Sequence, residues 1–407
     1  MKAETFLTLE KIEMKKTLVA LAALSAVSAF AQSTVTIDGF MDRGYLALSN
    51  SNSTKNFKSV ASNSGTTTLG FKYYEELGGG LKIGGQLNTD WADIGGATQG
   101  SGLALAQTSG FANSQSFASI SSAAIGTLNL GTPNNETLVN NTAIASPEFS
   151  TGVGSAYSSV FSTANGFGTG TSGYGGTVYE QASVTAAANV GARAIRISNT
   201  IQYKTPVING FQFTYGLTPQ NNNLTAASGY GNTVGVTEYA LRYTNGPVDA
   251  MYSSIKYDIG SNGISQIILT APTSSATATI ATAKSSTTGD NTQNMLGVKY
   301  QVLPSLKLNV GIGSFSSSSG TYQGSSRGYG GTYTMGAVDI LAQIVQVNDT
   351  YATTDTDRKL TGLGVNYNLS KTSKAYIRYD SINYGTNVTA ISGSTQKRTA
   401  VGISKSF

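Results

Sequence analysis

The chain has 407 residues and a formal net charge of +5, with 12% charged and 39% hydrophobic residues, 48 Gly, and neither Cys nor His. A soluble domain usually carries about a quarter charged residues, and a helical membrane protein shows apolar runs of roughly 20 residues. Beyond its N-terminus the chain fits neither class. Without His or Cys it lacks the parts for Ser-His and Cys-His hydrolases, for disulfides and for Cys-type zinc sites.

Ser, Thr, Asn, Gln and Gly replace the missing charge, which suits a chain with one face in lipid and the other in water. No Walker loop or dinucleotide fingerprint opens a helix. The small positive excess, spread over so long a chain, is no nucleic-acid footprint. No cofactor or metal is expected.

Met14-Lys15-Lys16, the apolar stretch Thr17 to Phe30 and the small-residue site Ala29-Phe30-Ala31 before Gln32 have the order of a secretory signal peptide. Residues 1–31 are read as an N-terminal extension and signal peptide, residues 1–13 reflecting start-site choice, and 32–407 as one unit.

Period-2 alternation in segments of about ten residues dominates that unit. In chain order, strands are predicted at 34–48, 66–74, 81–91, 115–122, 127–132, 193–204, 210–218, 235–244, 248–257, 292–302, 305–315, 327–334, 338–347, 358–369, 374–384 and 396–407. Short Gly-, Pro- and Asn-bearing connections such as 75–80, 205–209 and 245–247 alternate with long polar ones such as 49–65, 93–114, 133–192 and 258–291. An all-β fold follows: a transmembrane antiparallel β-barrel of about sixteen strands, with short turns on one side and long loops on the other. Closure is required because hydrocarbon leaves no partner for an open sheet edge.

Parity along the strands sorts the side chains. Tyr73, Tyr203, Tyr243, Tyr300, Tyr367 and Phe407 sit near strand ends on the apolar faces, as an interfacial aromatic girdle would. Lys72, Lys82, Arg196, Arg242, Lys299, Lys307 and Arg378 fall on polar faces, with Asp38, Asp42 and Asp380 opposing them. A net basic lumen predicts a weak to moderate preference for anions.

Several segments resemble the general porins of beta-proteobacteria. Val35-Thr36-Ile37-Asp38-Gly39 with Asp42 resembles that family's first strand. Leu69-Gly70-Phe71-Lys72 and Glu76-Leu77-Gly78-Gly79-Gly80-Leu81-Lys82 resemble its second strand, first turn and third strand. Arg196 to Tyr203 with Gly210-Phe211 resembles its sixth and seventh. Val401-Gly402-Ile403-Ser404-Lys405-Ser406-Phe407 resembles its last strand, with the terminal Phe407 used in barrel assembly.

The resemblance implies a sixteen-stranded outer-membrane barrel, usually a homotrimer, set among membrane lipid and lipopolysaccharide. It would pass small hydrophilic solutes and inorganic ions. The family's third long loop folds into the lumen, which makes 133–192 the pore-constricting loop. Pro147-Glu148-Phe149 resembles that loop's tip and makes Glu148 the acidic candidate. Arg196 matches the family's inward basic cluster, whereas Thr68 stands where that pattern carries an Arg.

The remaining alternatives are a barrel-anchored adhesin or binding protein, for which the Ser/Thr/Gly-rich loops would serve, and a substrate-specific channel. An outer-membrane hydrolase would have plentiful Ser and no His to activate it.

Overall fold

The computed structural model describes residues 33–51, 57–90, 112, 114–147, 149, 152–155, 199–219, 235–258, 264–269, 280–284, 291–317, 322–351, 354–355, 357–385 and 395–407. The predicted signal peptide, Glu148 and Arg196 lie outside them.

The strands follow the alternation of the sequence. The first half of the barrel holds β1 (Thr34–Asn50), β2 (Phe57–Ala61), β3 (Thr68–Gly78), β4 (Leu81–Asp90), β5 (Ser116–Ser122), β6 (Gly126–Thr132), β7 (Thr200–Lys204), β8 (Phe211–Thr218) and β9 (Gly235–Asn245). Next come β10 (Val248–Asp258) and a separate two-stranded ribbon, β11 (Ile264–Leu269) and β12 (Ile280–Lys284). The second half holds β13 (Asn291–Leu303), β14 (Leu306–Ser317), β15 (Tyr322–Met335), β16 (Val338–Tyr351), β17 (Thr354–Asp355), β18 (Arg358–Asn368), β19 (Ser373–Tyr384) and β20 (Thr395–Ser406).

All but the ribbon belong to one antiparallel sheet of 18 strands. Because β2 with β3 and β17 with β18 each form one stave, the wall has sixteen staves. The seam closes on β1, which pairs with β20 from Phe40↔Ser406 to Asn50↔Gln396 and with β3 from Thr34↔Tyr74 to Phe40↔Thr68. Phe407 finishes the seam: its N–H donates to the Gly39 carbonyl at 3.1 Å, and the Gly39 N–H donates to its carbonyl at 3.0 Å. The wall thus leaves no free edge, the condition that hydrocarbon imposes.

The alternation sets inside against outside. On β20, Val401 and Ile403 are 51% and 63% exposed, while Arg398 and Ala400 between β19 and β1 are buried. On β8, Phe211, Phe213, Tyr215 and Leu217 face outward and Thr214 and Thr218 are buried. Such an outward apolar band and polar interior describe a membrane-crossing barrel.

Several strands run further into the long-loop side than alternation predicts. β1 and β2 continue their hairpin into 49–65, and β14, β15 and β16 extend through polar runs such as Gly324-Ser325-Ser326. Ladder hydrogen bonds come from the backbone, so Ser- and Gly-rich sequence extends the wall wherever water, not lipid, bathes the side chains. The predicted loop at 258–291 contains the β11–β12 ribbon, whose strands carry Ile264, Ile267, Ile268 and Ile280, residues that favour strands. The predicted strand at 193–204 is described only over Thr200–Lys204.

Candidate functional site on the lumen wall

After β6 the chain turns inward. A π-helical turn (Glu136–Asn141) runs into α1 (Thr142–Ala145), and the described residues to Ser155 are largely buried against the inner wall. Two small apolar patches receive this segment. Ile144 packs with Ala240 and Met251, and Val153 with Leu46, Tyr376 and Ala400. Each such burial stabilises by about 1.5–3 kcal/mol for a full aliphatic side chain.

Polar anchors fix the register of the segment. The Glu238 carboxylate accepts the N–H groups of Glu136 and Thr137 at 2.9 and 2.7 Å. Asn141 Nδ2 donates to the Met251 and Met295 carbonyls and to Ser253 Oγ, at 3.1, 2.8 and 2.7 Å. This approach needs Gly297 opposite, where a Cβ would lie 2.3 Å from Asn141 Oδ1. Ser146 Oγ donates to Gln343 Oε1 at 2.6 Å, and the Asn309 amide donates to the Ala145 carbonyl. At the far end, Gly154 N–H donates to Asp380 Oδ2 at 2.7 Å and Val153 N–H to the Asn63 carbonyl at 2.8 Å. Gly154 has φ +87°, and a Cβ there would meet the Phe149 ring at 2.4 Å. The turn at Gly154 therefore sets where Phe149 sits.

Three arginines point inward from neighbouring strands: Arg358 on β18, Arg378 on β19 and Arg398 on β20, all buried. Arg398 Nε reaches both Asp380 oxygens, at 2.9 and 3.0 Å, and its Nη2 also pairs with Oδ2. Arg378 lies 5.5 Å from the ring centres of both Phe149 and Tyr376.

The sequence-predicted residues fall in two places. At the short-turn mouth, Lys72 pairs with Asp38 at 2.5 Å, and Lys82 pairs with Glu76 and stands 5.6 Å from the centre of the Tyr74 ring. Arg242 and Lys299 share Asp249 at 2.9 and 3.0 Å. Thr68 is half-buried and stands opposite Phe40 and Asp90. Asp42 lies deeper and is fully buried. Its Oδ2 accepts the N–H groups of Asn63, Ser64 and Gly65 at 2.6, 2.6 and 3.1 Å, and its Oδ1 accepts the Tyr376 hydroxyl at 2.7 Å.

Tyr203, Tyr300, Tyr367 and Phe407 lie exposed on the outer face. The Tyr203 hydroxyl donates to the Ile125 carbonyl at 2.6 Å. Tyr243 meets Phe211 with ring centres 4.6 Å apart. Arg358, Arg398, Asn141 and Glu238 were not singled out from the sequence. Parity could have found three of them: Tyr239 and Leu241 face out, so Glu238 faces in, and Val401 and Leu363 likewise place Arg398 and Arg358 inward. Only the folded loop identifies Asn141.

Closed wall, apolar exterior and charged interior together define a membrane-spanning β-barrel of the channel-forming class. The sequence profile of Gram-negative porins matches residues 17–387, and the chain belongs to that family. It is an outer-membrane porin.

Solved structures with the same fold include an anion-selective porin from Comamonas acidovorans, 19% identical at a TM-score of 0.65, covering 92% of this chain and 100% of that one. The in-vitro folded, trimer form of OmpT from Vibrio cholerae is 13% identical at 0.54, covering 92% and 99%. OmpF of Salmonella typhi, in complex with daunomycin, is 15% identical at 0.55, covering 92% and 97%. No curated protein matches the sequence.

Proposed function

We propose that this porin carries small hydrophilic solutes and inorganic ions down their own gradients, with a weak preference for anions, and that it assembles as a homotrimer. One observation carries the ion preference: three inward arginines on adjacent strands β18, β19 and β20, of which Arg398 pairs with Asp380. Fixed cations lining a narrow path favour anions. The similar porin from Comamonas acidovorans is itself described as anion-selective, and the similar OmpT of Vibrio cholerae as a trimer form.

The loop 133–192 constricts the path in this reading, which the placement of its described residues against the inner wall supports. Arg196 and Glu148 are the further basic and acidic constriction residues. Lys72 and Lys82 line the periplasmic mouth, with Thr68 and Asp42 above them, and Asp42 acts by holding residues 63–65 on the wall. Tyr203, Tyr243, Tyr300, Tyr367 and Phe407 form the girdle that meets the lipid interface, and lipopolysaccharide is the outer-leaflet neighbour.

The test is conductance of refolded protein in a planar bilayer under a KCl gradient. Stepwise openings in threes with a reversal potential on the chloride side are expected. A silent bilayer with correctly folded protein would instead favour a sealed, adhesive barrel. Arg196→Ala should move the reversal potential toward potassium, and an unmoved potential would remove Arg196 from the pore.

A further inference from the structure

Arg378 is the anomaly of the lumen wall. It is 1% exposed and makes no ion pair among the described residues. Its one hydrogen bond there is a long one, from Nη1 to the Ile377 carbonyl at 3.4 Å, and its Nε is buried without a partner. The carboxylates nearby are committed elsewhere. Asp42 is occupied by three N–H groups and the Tyr376 hydroxyl, and Asp380 by Arg398 and the Gly154 N–H. What holds the guanidinium is aromatic: Phe149 and Tyr376, each with its ring centre 5.5 Å away.

The two rings have different origins. Tyr376 is part of the wall, two residues before Arg378 on the same inward face. Phe149 belongs to the inward segment and is itself 1% exposed. It is fixed by the Gly154 turn, which Asp380 and Asn63 tie to the wall.

A guanidinium held by the faces of rings keeps donors at its edge, and that edge is suited to a planar oxyanion bound through two parallel hydrogen bonds. Here the edge includes an unused buried Nε. Lys374, four residues earlier on the same strand face, has no ion pair among the described residues and adds a second positive charge.

We propose that Phe149 is a specificity-determining residue that caps an anion site at Arg378, and that the uncapped site takes a small oxyanion, a solute carboxylate being the fitting class. The covered charge still contributes to the field across the lumen. What the cap withholds is direct contact between that charge and a passing anion. The inference rests on the channel reading above.

The experiment uses the full refolded chain in planar bilayers, with the chloride-to-potassium permeability ratio and block by potassium acetate as readouts. Phe149→Ala should raise the ratio about two- to fivefold, the scale of one charge–ring contact, and introduce acetate block that saturates with concentration. Arg378→Gln alone should lower the ratio modestly, because it removes one of the three inward charges, and should introduce no acetate block; Phe149→Ala/Arg378→Gln should lose both gains of Phe149→Ala even if the loop has shifted and the total conductance has grown. Gly154→Ala, which drives a methyl into the Phe149 ring, should act in the direction of Phe149→Ala by a separate route.

The proposal is overturned if Phe149→Ala leaves the ratio unmoved, or if the double variant rises as much as the single one. A wild-type protein that never conducts would sink the channel reading instead, which keeps the two failures apart.

Discussion

The periplasmic mouth and the β18–β20 wall use the same charged residue types to different ends. At the mouth, cations stand beside acids: Lys72 with Asp38 and Lys82 with Glu76 in water, and Arg242 and Lys299 with the buried Asp249. The Lys72 and Asp38 side chains remain 49% and 38% exposed, so solvent screens the pair. On the β18–β20 wall the arginines are buried, Arg378 against Phe149 and Arg398 on the Asp380 that also holds Gly154, where the dielectric is lower and burying a charge costs more. The contrast teaches that counting lumenal charges says little about selectivity. Burial and pairing decide which charges hold the structure and which act on a passing ion.

The largest effect should come from Asp380, which both pairs with Arg398 and accepts the Gly154 N–H. Asp380→Ala takes this carboxylate from a buried arginine and frees one end of the inward segment, a loss of up to about 3–5 kcal/mol. Urea unfolding in detergent reads it. Restoring most of that stability with Asp380→Ala/Arg398→Met would show that the buried charge, not the lost anchor, carries the cost.

Asn141→Ala should come next. It removes three hydrogen bonds at once and leaves the Met251 and Met295 carbonyls without this donor, a loss of about 1–3 kcal/mol. Because it loosens the middle of the inward segment, open-channel noise should rise while the reversal potential changes little. A quiet channel of normal stability would mean that Ile144 and Glu238 hold the segment without it.

Glu238→Gln keeps the shape of its side chain and one acceptor oxygen. About 1 kcal/mol of loss is expected, because one of the two N–H groups that Glu238 accepts loses its acceptor. Destabilisation as large as for Asp380→Ala would place the main anchor at the start of the segment rather than at its end.

The smallest effect should be at the mouth. Lys72→Gln is expected to change stability by about 0–1 kcal/mol, with a slight shift of the reversal potential that fades as salt rises. A strong, salt-resistant shift would move the selective region from the wall to the mouth.

The sequence made the wall legible and the inward segment only partly so. A strand shows its parity residue by residue, so Val401 and Ile403 outward with Ala400 and Ser404 inward could be read without coordinates. Strand ends on the loop side were less legible, because Gly324 to Ser326 carry no apolar alternation yet pair through their backbone. The Phe149–Arg378 contact joins residues 229 apart in a chain with no local signal for it. Parity could place Arg378 inward, but the cover over it depends on the turn at Gly154 and the reach of Asp380.

The most direct test of the central claim compares reversal potentials under one KCl gradient for three full-length channels: wild type, Lys72→Gln/Lys82→Gln, and Arg358→Gln. The account predicts a chloride-side potential for wild type, nearly the same for the mouth variant, and a clear move toward potassium for Arg358→Gln. A potential that moves with the two lysines and ignores Arg358 would contradict it.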